Sequence, residues 1–519
     1  MLFNSAIFIF GFLPVTLAGF FGLGLRGHKE WAIIWLTVAS LFFYAWWDVS
    51  NLPLLVISIG ANFAIQRLLA RHRSKTLLVA GIALNLAALG YYKYAGFLAK
   101  TIDSALDGGL PIPHIVLPLA ISFYTFQQIA YLCDSYDGLV EDSSFANYMA
   151  FITFFPHLIA GPITHHKEII PQLARANIGR PEPIMMAAGA TMFLVGLFKK
   201  VMIADAIAVY ANSVFAAASR SEQLTMFEAW GGGLAYTLQI YFDFSGYSDM
   251  AIGLGLMFGV RLPFNFDSPL KAANIIDYWA RWHMTLTRFV TAYIYSPITV
   301  KLTRRRMEAG KPLPKRGQMT LGTFLTLVAW PTLLAFLIIG VWHGAGWQFA
   351  LFGLVHGIYL TINHGWRIFK KSRGWNWNND NVFLVASSVL LTLACVILGL
   401  VFFRSPDIDT AFRLVEAMVG ANGVGLHSSQ LLTQRQVQLT LVLTAIVWLL
   451  PNTQEWLRRV PTGLGELRSP GWIERQIFAL ASFGWRPSRA FAVAVGLLGF
   501  LAIAKAISAA PPEFIYFNF

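Results

Sequence analysis

The sequence predicts an all-α polytopic membrane protein, and three observations support that fold class. Hydrophobic residues make up 56% of the 519 residues and charged residues only 13%, which is too apolar a composition for a soluble protein of this length. Apolar stretches long enough to cross about 30 Å of hydrocarbon recur along the chain. The basic residues, 39 Lys and Arg against 26 Asp and Glu, fall mainly in short loops between these stretches, which is typical of membrane insertion under the positive-inside rule.

The apolar stretches begin near the first residue and continue almost to the last. Residues 2–25 lack the basic start and the small-residue cleavage site of a removable signal peptide, so we expect them to stay as a helix. No internal repeat or flexible linker divides the chain, and we expect residues 1–519 to form a single membrane domain. The candidate spans are 2–25, 31–48, 52–70, 76–99, 112–133, 145–164, 183–218, 224–260, 274–300, 320–341, 344–369, 381–403, 437–451 and 489–510.

The stretch 112–133 does not fit a simple span. It contains Pro113 and Pro118, and Gln127 and Gln128 follow them. Proline interrupts a helix, and polar side chains are costly against lipid but tolerated where they line a protein interior. We therefore expect a broken or re-entrant segment here.

The loops predict the orientation of the chain in the membrane. Loops 26–29, 67–75 and 301–316 are rich in Lys and Arg, so we expect them on the cytoplasmic side and the N-terminus on the opposite side. The loop 134–142 has four acids and no base. This charge favours the outer side and agrees with a re-entrant segment before it.

Segment 452–488 interleaves arginines with tryptophans. This pattern fits an interfacial helix on the cytoplasmic leaflet and, equally well, an ordinary solvated loop. We assign the net charge of +13 to topology and to anionic lipid headgroups, because no aromatic and basic motif for DNA or RNA binding accompanies it. Membrane lipids are therefore expected partners, and nucleic acid is not.

Four clusters place polar or titratable side chains inside apolar stretches, where such residues are costly and often functional. The first cluster covers 154–168 and contains His157, His165 and His166. Their spacing matches no helical zinc motif, so a loop that closes a cavity is favoured over a metal site. We expect no metal.

The second and third clusters carry carboxylates. Asp243 and Asp249 lie in one apolar helix, where a buried hydrogen-bond network between helices is favoured over a catalytic acid and base pair. Asp277 and Arg281 stand four residues apart and can neutralise each other. This pairing leaves His283 as the titratable group of its cluster, although His283 taken alone would more often be structural.

The fourth cluster is the run 339–347, in which His343 stands between two indoles, and His356 follows it. Glycines in this run allow close approach of other groups, and histidine is suited to proton transfer near neutral pH. One buried histidine favours a structural role. Several polar clusters in one membrane protein favour instead a functional site with His343 at its centre.

The four clusters resemble the motifs of the membrane-bound O-acyltransferase (MBOAT) family, and within it those of the alginate O-acetyltransferase subgroup. The resemblance covers almost the whole chain, and the order and spacing of its pieces make it specific. The matching stretches are 42–46, 154–163, 241–249 with the Pro-Asn turn that follows, 281–283, 341–345 and 514–519.

The resemblance implies a fold, a reaction and a site. The fold would be a ring of tilted transmembrane helices around a catalytic tunnel, with re-entrant and interfacial helices. By motif match, His343 is the catalytic histidine and His283 is the second active-site position. The resemblance also implies acetyl-CoA as the acyl donor, an exported polysaccharide such as alginate as the acceptor, periplasmic acetylation proteins as partners, and the bacterial inner membrane as the location.

Acyl transfer to a hydroxyl needs a base for the attacking proton and a donor for the developing oxyanion. We predict that His343 is the base. His283 would either orient the acceptor or hydrogen-bond the thioester carbonyl. Because the sequence has no Gly-x-Ser-x-Gly motif, direct transfer is favoured over a covalent acyl-enzyme.

Alternatives from other classes stay open at this stage. A transporter or flippase that moves an acyl or lipid-linked group would use the buried His and Asp residues as a relay, but the sequence lacks matched repeat halves. A membrane metallohydrolase would need a ligand set that the sequence does not offer. Where the subgroup has an Arg-Asp-Tyr element, 289–298 lacks the charged pair. The acceptor is therefore open among alginate, cellulose, another exopolysaccharide, peptidoglycan and a carrier protein.

Overall fold

A computed structural model describes residues 1–106, 108–109, 112–113, 115–140, 144–314, 319–375, 381–425, 431, 433–465, 484–508 and 515. These residues form helices joined by turns, and no β-strand occurs among them. The predicted all-α class is confirmed.

The helices are numbered in chain order. They are α1 Phe8–Leu25, α2 Lys29–Ala45, α3 Val49–His72, α4 Lys75–Ala105, α5 Ile121–Tyr136, α6 Phe145–Thr153, α7 Phe155–Leu158, α8 His166–Leu173, α9 Pro183–Phe198, α10 Asp205–Ser219, α11 Met226–Met257, α12 Ile275–Trp279, α13 Met284–Val290, α14 Ser296–Glu308, α15 Leu321–His343, α16 Trp347–Ser372, α17 Val382–Arg404, α18 Ile408–Met418, α19 Gln434–Leu449, α20 Thr453–Trp456 and α21 Arg489–Ser508. Shorter turns of π-helix, Lys199–Ala204 and Thr291–Tyr295, and a 3-10 turn, Pro269–Lys271, link some of them.

Six of these helices, α1, α3, α4, α15, α17 and α21, are long and apolar enough to cross a membrane. They expose large apolar side chains on their outer faces, among them Phe10 at 62%, Phe383 at 85% and Phe500 at 68%. Lipid tails accept such side chains, whereas a water-exposed surface of this kind would be a liability. The polytopic membrane class is therefore confirmed.

Helix α11 is the centre of the fold. Every residue from Ala235 to Met257 is buried, so the carboxylates predicted to lie in this helix face protein and not lipid. Helix α9 packs along it through glycines, because a Cβ at Gly189 would lie 2.6 Å from the carbonyl oxygen of Gly253. Close backbone approach of this kind is typical of helix packing in membranes.

The broken segment predicted at 112–133 is present. Leu119 and Ala120 form a turn, Ala120 has a left-handed φ of 62°, and α5 begins only at Ile121. The polar residues Gln127 and Gln128 are buried, and Gln128 accepts a hydrogen bond from the Ser58 hydroxyl at 2.8 Å. The polar side chains therefore face protein. This agrees with the expectation that they would be costly against lipid.

Loop 134–142 was predicted to lie on the outer side, opposite loop 67–75. This prediction is wrong, because the described part of loop 134–142 lies on the same side as loop 67–75. A Cβ added to Gly138 would overlap the guanidinium of Arg73, and Gln66, near the end of α3, donates to Ser135 at 3.3 Å. Both loops thus lie on one side of the protein. The described acids of this loop, Asp134 and Asp137, lie on the same side as the basic loop, so their charge did not indicate the side of the membrane.

Two predictions near the C-terminus fall partly outside the described residues. Within 452–488 the structure describes α20 and buried Trp485, whose backbone N–H donates to the carbonyl of Trp456 at 2.9 Å. Residues 466–483 are not described, so the predicted interfacial helix stays a prediction. Of the matching stretch 514–519, only Ile515 is described.

Candidate active site

The run that contains His343 forms the turn of a helical hairpin. Helix α15 ends at His343 and α16 begins at Trp347. Gly340 allows the two helices to touch, because a Cβ there would overlap the carbonyl oxygen of Phe349 and lie 2.9 Å from the Cα of Gly353. This close contact holds His343 at the tip of the hairpin.

The imidazole of His343 is enclosed by aromatic rings. The residue is 5% exposed. Its ring centroid lies 4.9 Å from that of Trp342, 5.1 Å from that of Phe403 and 6.1 Å from that of Phe352, and the planes meet at 68° to 81°. These are edge-to-face contacts, and they keep bulk water away from most of the ring.

Lys93 approaches the same turn from α4. Its ammonium group donates to the carbonyl oxygen of Trp342 at 2.5 Å and to that of His343 at 3.3 Å. The Tyr94 hydroxyl donates to the carbonyl of Val341 at 2.8 Å. The last carbonyls of a helix lack intrahelical partners, and a cation beside them is favourable. These two side chains therefore fix the backbone that carries His343.

Lys93 was not among the site residues predicted from the sequence. The available signal was a single cation within the apolar stretch 76–99, where a charge is costly unless a partner neutralises it. Its partners lie in α15, far away in the sequence, and no pattern within α4 indicates them.

His283 is held at the start of α13. It is fully buried and has left-handed backbone angles, with φ 44° and ψ 52°. Its Nδ1 lies 3.0 Å from the side-chain oxygen of Asn265, which also accepts from the backbone N–H of Thr285 at 3.3 Å and from the Thr285 hydroxyl at 2.8 Å. Because that oxygen can only accept, Nδ1 carries the proton, and Nε2 of the neutral ring is an acceptor.

Trp342 brings the two predicted histidines together. Its ring centroid lies 6.4 Å from that of His283 and 4.9 Å from that of His343. The indole stacks on Phe126 of α5 with a centroid separation of 5.1 Å, and Phe126 stacks in turn on Phe289 of α13 at 4.3 Å. Two separate motifs of the sequence thus meet in one buried aromatic cluster.

The remaining histidine of the fourth cluster has a structural contact. His356 is 1% exposed, and its Nδ1 accepts a hydrogen bond from the indole N–H of Trp279 at 3.2 Å. This bond connects α16 to α12. His356 therefore stabilises the packing of the hairpin against α12.

The carboxylates of the second and third clusters are paired with cations. Lys200 lies 2.7 Å from both Asp243 and Asp205, and Lys199 lies 2.7 Å from Asp249. Arg281 and Asp277 form the predicted ion pair at 2.9 Å. The interpretation of Asp243 and Asp249 as parts of a buried network between helices is confirmed.

The histidines of the first cluster separate into two groups. His157 lies 3.2 Å from the side-chain nitrogen of Gln127 through its Nδ1. The Nε2 atoms of His165 and His166 instead converge on one oxygen of Asp134, at 2.7 Å and 2.9 Å. The three-histidine set considered from the sequence is therefore wrong as a geometric group, and a carboxylate from α5 takes the place of His157.

The group of Asp134, His165 and His166 has ligand atoms close enough to hold a cation, within 4.8 Å of one another. However, Nδ1 of His165 accepts the backbone N–H of Lys167 at 3.4 Å, which assigns the ring proton to Nε2, the nitrogen that would have to bind a metal. Tyr293 also donates to Asp134 at 3.1 Å. The arrangement fits a hydrogen-bonded network better than a metal centre, and the absence of a metal stays a prediction.

Comparison with known proteins identifies the chain as a membrane-bound acyltransferase. Residues 135–396 match the model of the MBOAT, membrane-bound O-acyltransferase family. The chain belongs to this family and is an acyltransferase, so the predicted family and enzyme class are confirmed.

Several curated proteins are similar to this chain. A peptidoglycan O-acetyltransferase of Helicobacter pylori is 38% identical over 82% of this chain and 81% of its own. A probable alginate O-acetylase AlgI of Azotobacter vinelandii is 32% identical over the full length of both chains. A teichoic acid D-alanyltransferase of Bacillus subtilis is 25% identical over 56% of this chain and 70% of its own.

Proposed function

We propose that the protein transfers acetyl from cytoplasmic acetyl-CoA to hydroxyl groups of an exported polysaccharide, and that His343 is the catalytic base. The observation that carries the proposal is the buried site at the tip of the α15–α16 hairpin, where His343 and His283 both adjoin Trp342. The relatives named as O-acetyltransferases support acetyl as the group transferred.

In the proposed reaction, His343 removes the proton of an acceptor hydroxyl as its oxygen attacks the carbonyl carbon of the thioester. The C–O bond forms, the C–S bond breaks, and the CoA sulfur leaves with the proton that His343 took up. A base placed within hydrogen-bonding reach of the acceptor contributes about 10²–10⁴-fold to such a step.

The hydrogen bonds of His283 select between its two suggested roles. Its Nδ1–H is directed at Asn265, so the neutral ring offers an acceptor at Nε2 and not a second donor. An acceptor suits the hydroxyl of the incoming sugar, whereas a thioester carbonyl needs a donor. We therefore favour His283 as the residue that orients the acceptor.

The donor would approach from the side that carries the basic loops. The last two turns of α14 contain Arg304, Arg305 and Arg306, and Arg304 is strongly exposed and paired with Glu308. Tyr293, just before this helix, hydrogen-bonds Asp134, so α14 leaves the core on the same side as loop 134–142. Exposed arginines on that side are suited to attract the phosphates of CoA.

The acceptor and the partners follow from the relatives and from the resemblance. The proposed acceptor is alginate or a similar exopolysaccharide. The proposed location is the bacterial inner membrane, and the proposed partners are periplasmic acetylation proteins. Peptidoglycan is the second candidate, because the relative at 38% identity is named for it. Both are glycans outside the cytoplasm, and both offer hydroxyl groups.

The test uses purified protein in lipid with acetyl-CoA labelled in the acetyl group. We expect label transfer to alginate oligosaccharides and its loss, by about 10²-fold or more, in His343→Ala. His364→Ala, on the same hairpin but outside the aromatic enclosure, serves as the matched control and should keep its activity. Transfer to peptidoglycan fragments but not to alginate would make peptidoglycan the acceptor. Normal transfer by His343→Ala would refute the role of His343 as the base.

A further inference from the structure

We propose that the indole N–H of Trp342 is the hydrogen-bond donor to the carbonyl oxygen of the acyl donor. This inference rests on the proposed function, because it supplies the oxyanion donor that the acyl transfer requires. It makes Trp342 a catalytic residue beside His343.

The first observation is a buried donor without an acceptor. Trp342 is 4% exposed, and its Nε1 has no hydrogen-bond partner among the described residues. Leaving a buried N–H unpaired costs free energy, and such groups call for an explanation. Other indoles differ: Trp35 donates to Thr16, Trp230 to Met418 and Trp448 to Leu270, all at main-chain carbonyls.

The second observation is the location of the ring. It adjoins both His343 and His283, the residues proposed to act on the acceptor hydroxyl. Phe126 stacks on the indole at 16°, and Phe123 meets it edge-on at 5.5 Å. The ring is therefore fixed before any substrate enters, which is the condition for an effective oxyanion donor.

The third observation is that the neighbouring polar groups have other hydrogen bonds. The Nδ1–H of His283 is directed at Asn265. The ammonium of Lys93 donates to the carbonyls of Trp342 and His343 and to the hydroxyl of Ser122. Unlike the N–H groups of His283 and Lys93, the indole N–H of Trp342 has no acceptor among the described residues and is available to a ligand.

Lys93 also strengthens this donor. Its ammonium lies 5.9 Å from the centroid of the Trp342 ring, a cation–π distance. A cation at this position withdraws electron density from the indole, so the N–H becomes a better donor. It also stabilises negative charge that develops nearby in a site with little water.

The acceptor oxygen adds to the carbonyl carbon while His343 takes its proton, and the carbonyl oxygen gains a negative charge that the N–H of Trp342 stabilises. The carbonyl then re-forms, the C–S bond breaks, and the sulfur receives the proton from His343. Trp342 gains and loses nothing covalently.

The experiment compares Trp342→Phe with Trp35→Phe in the labelled acetyl-CoA assay. The first change keeps an aromatic ring and removes the N–H, so we expect kcat to fall by about 10²–10³-fold, the usual effect of deleting one oxyanion donor, with little change in KM for acetyl-CoA. Trp35→Phe removes an N–H that bonds Thr16 and should leave kcat unchanged. A kcat for Trp342→Phe within about threefold of the parent protein would overturn the inference.

Two further variants separate the loss of the N–H from a loss of folding and from a failure of the proposed function. If Trp342→Phe lowers the melting temperature, benzothienylalanine at position 342 replaces the N–H by sulfur and keeps the bicyclic shape. A full kcat with this residue would also overturn the inference. His343→Ala, assayed in parallel, separates the two proposals: an active His343→Ala refutes the proposed function, whereas an inactive His343→Ala beside an active Trp342→Phe refutes only the role of Trp342.

Discussion

Among single residues, the buried charged side chains near the site form hydrogen bonds or ion pairs with specific partners. Lys93 is the clearest case, since its ammonium binds the last carbonyls of α15. An unpaired ammonium at membrane depth would be costly. The pairing stabilises the end of the helix and fixes the backbone from which His343 projects.

We predict that Lys93→Met lowers kcat by about tenfold or more, because a small displacement of a catalytic group has effects of this size or greater. Lys93→Arg keeps the charge and should recover part of the activity, which a merely space-filling role would not explain. Lys100→Met, at an exposed position of the same helix, is the matched control. Labelled acetyl transfer and thermal unfolding measure the effects, and an unchanged kcat in Lys93→Met would contradict the positioning role.

The sequence predicted some residues of the site and could not predict others. His343 and His283 were found because each stands in a local motif with an unusual polar group. Lys93, Asn265 and Trp342 were missed as a set, since their contacts join separate segments of the chain. The bond from Lys93 to Trp342 spans 249 positions, and no local period or spacing encodes such a contact.

At the scale of the elements, the α15–α16 hairpin positions the site through backbone contact. Gly340 and Gly353 face one another, and a Cβ on Gly353 would overlap the carbonyl oxygen of Phe336. Close approach was predicted from the sequence at Gly340 but not at Gly353, its partner. The predicted break before α5 was also correct. Proline and glycine act locally on the backbone, so their effects can be predicted from the sequence.

We predict that Gly340→Ala destabilises the protein and reduces acyl transfer. In an open helical position, alanine stabilises a helix by about 0.5–1 kcal/mol relative to glycine. At Gly340 the added methyl group would meet Phe349 and force the hairpin apart. Gly322 lies in the same helix α15, and a Cβ there would have nothing within 4 Å. Gly322→Ala should therefore raise the melting temperature, whereas Gly340→Ala should lower it. Thermal unfolding of the two variants in detergent makes the comparison, and equal shifts would contradict the packing argument.

At the scale of the whole molecule, charge patterning identified the membrane class but misplaced one loop. The positive-inside rule weighs Lys and Arg and gives acids little influence. The four acids of 134–142 were therefore a poor guide, and the contact of Gly138 with Arg73 places this loop beside 67–75. A sequence shows the charge of each loop, whereas its neighbours become visible only in three dimensions.

This arrangement predicts the accessibility of single cysteines in a variant without Cys133 and Cys395. Ser50 and Arg71 lie near opposite ends of α3, about 30 Å apart along the helix axis at 1.5 Å per residue. Arg71→Cys and Leu139→Cys should therefore react with a membrane-impermeant maleimide together, and Ser50→Cys should react from the other face.

With the basic loops in the cytoplasm, intact spheroplasts should label only Ser50→Cys, and permeabilised ones all three. Reversal of all three patterns would invert the orientation and leave the fold intact. Labelling of Leu139→Cys together with Ser50→Cys would instead contradict the packing of α5 against α3, because loop 134–142 and Arg73 could not then share one face. The same result would move the proposed entrance for acetyl-CoA, since α14 leaves the core beside Asp134.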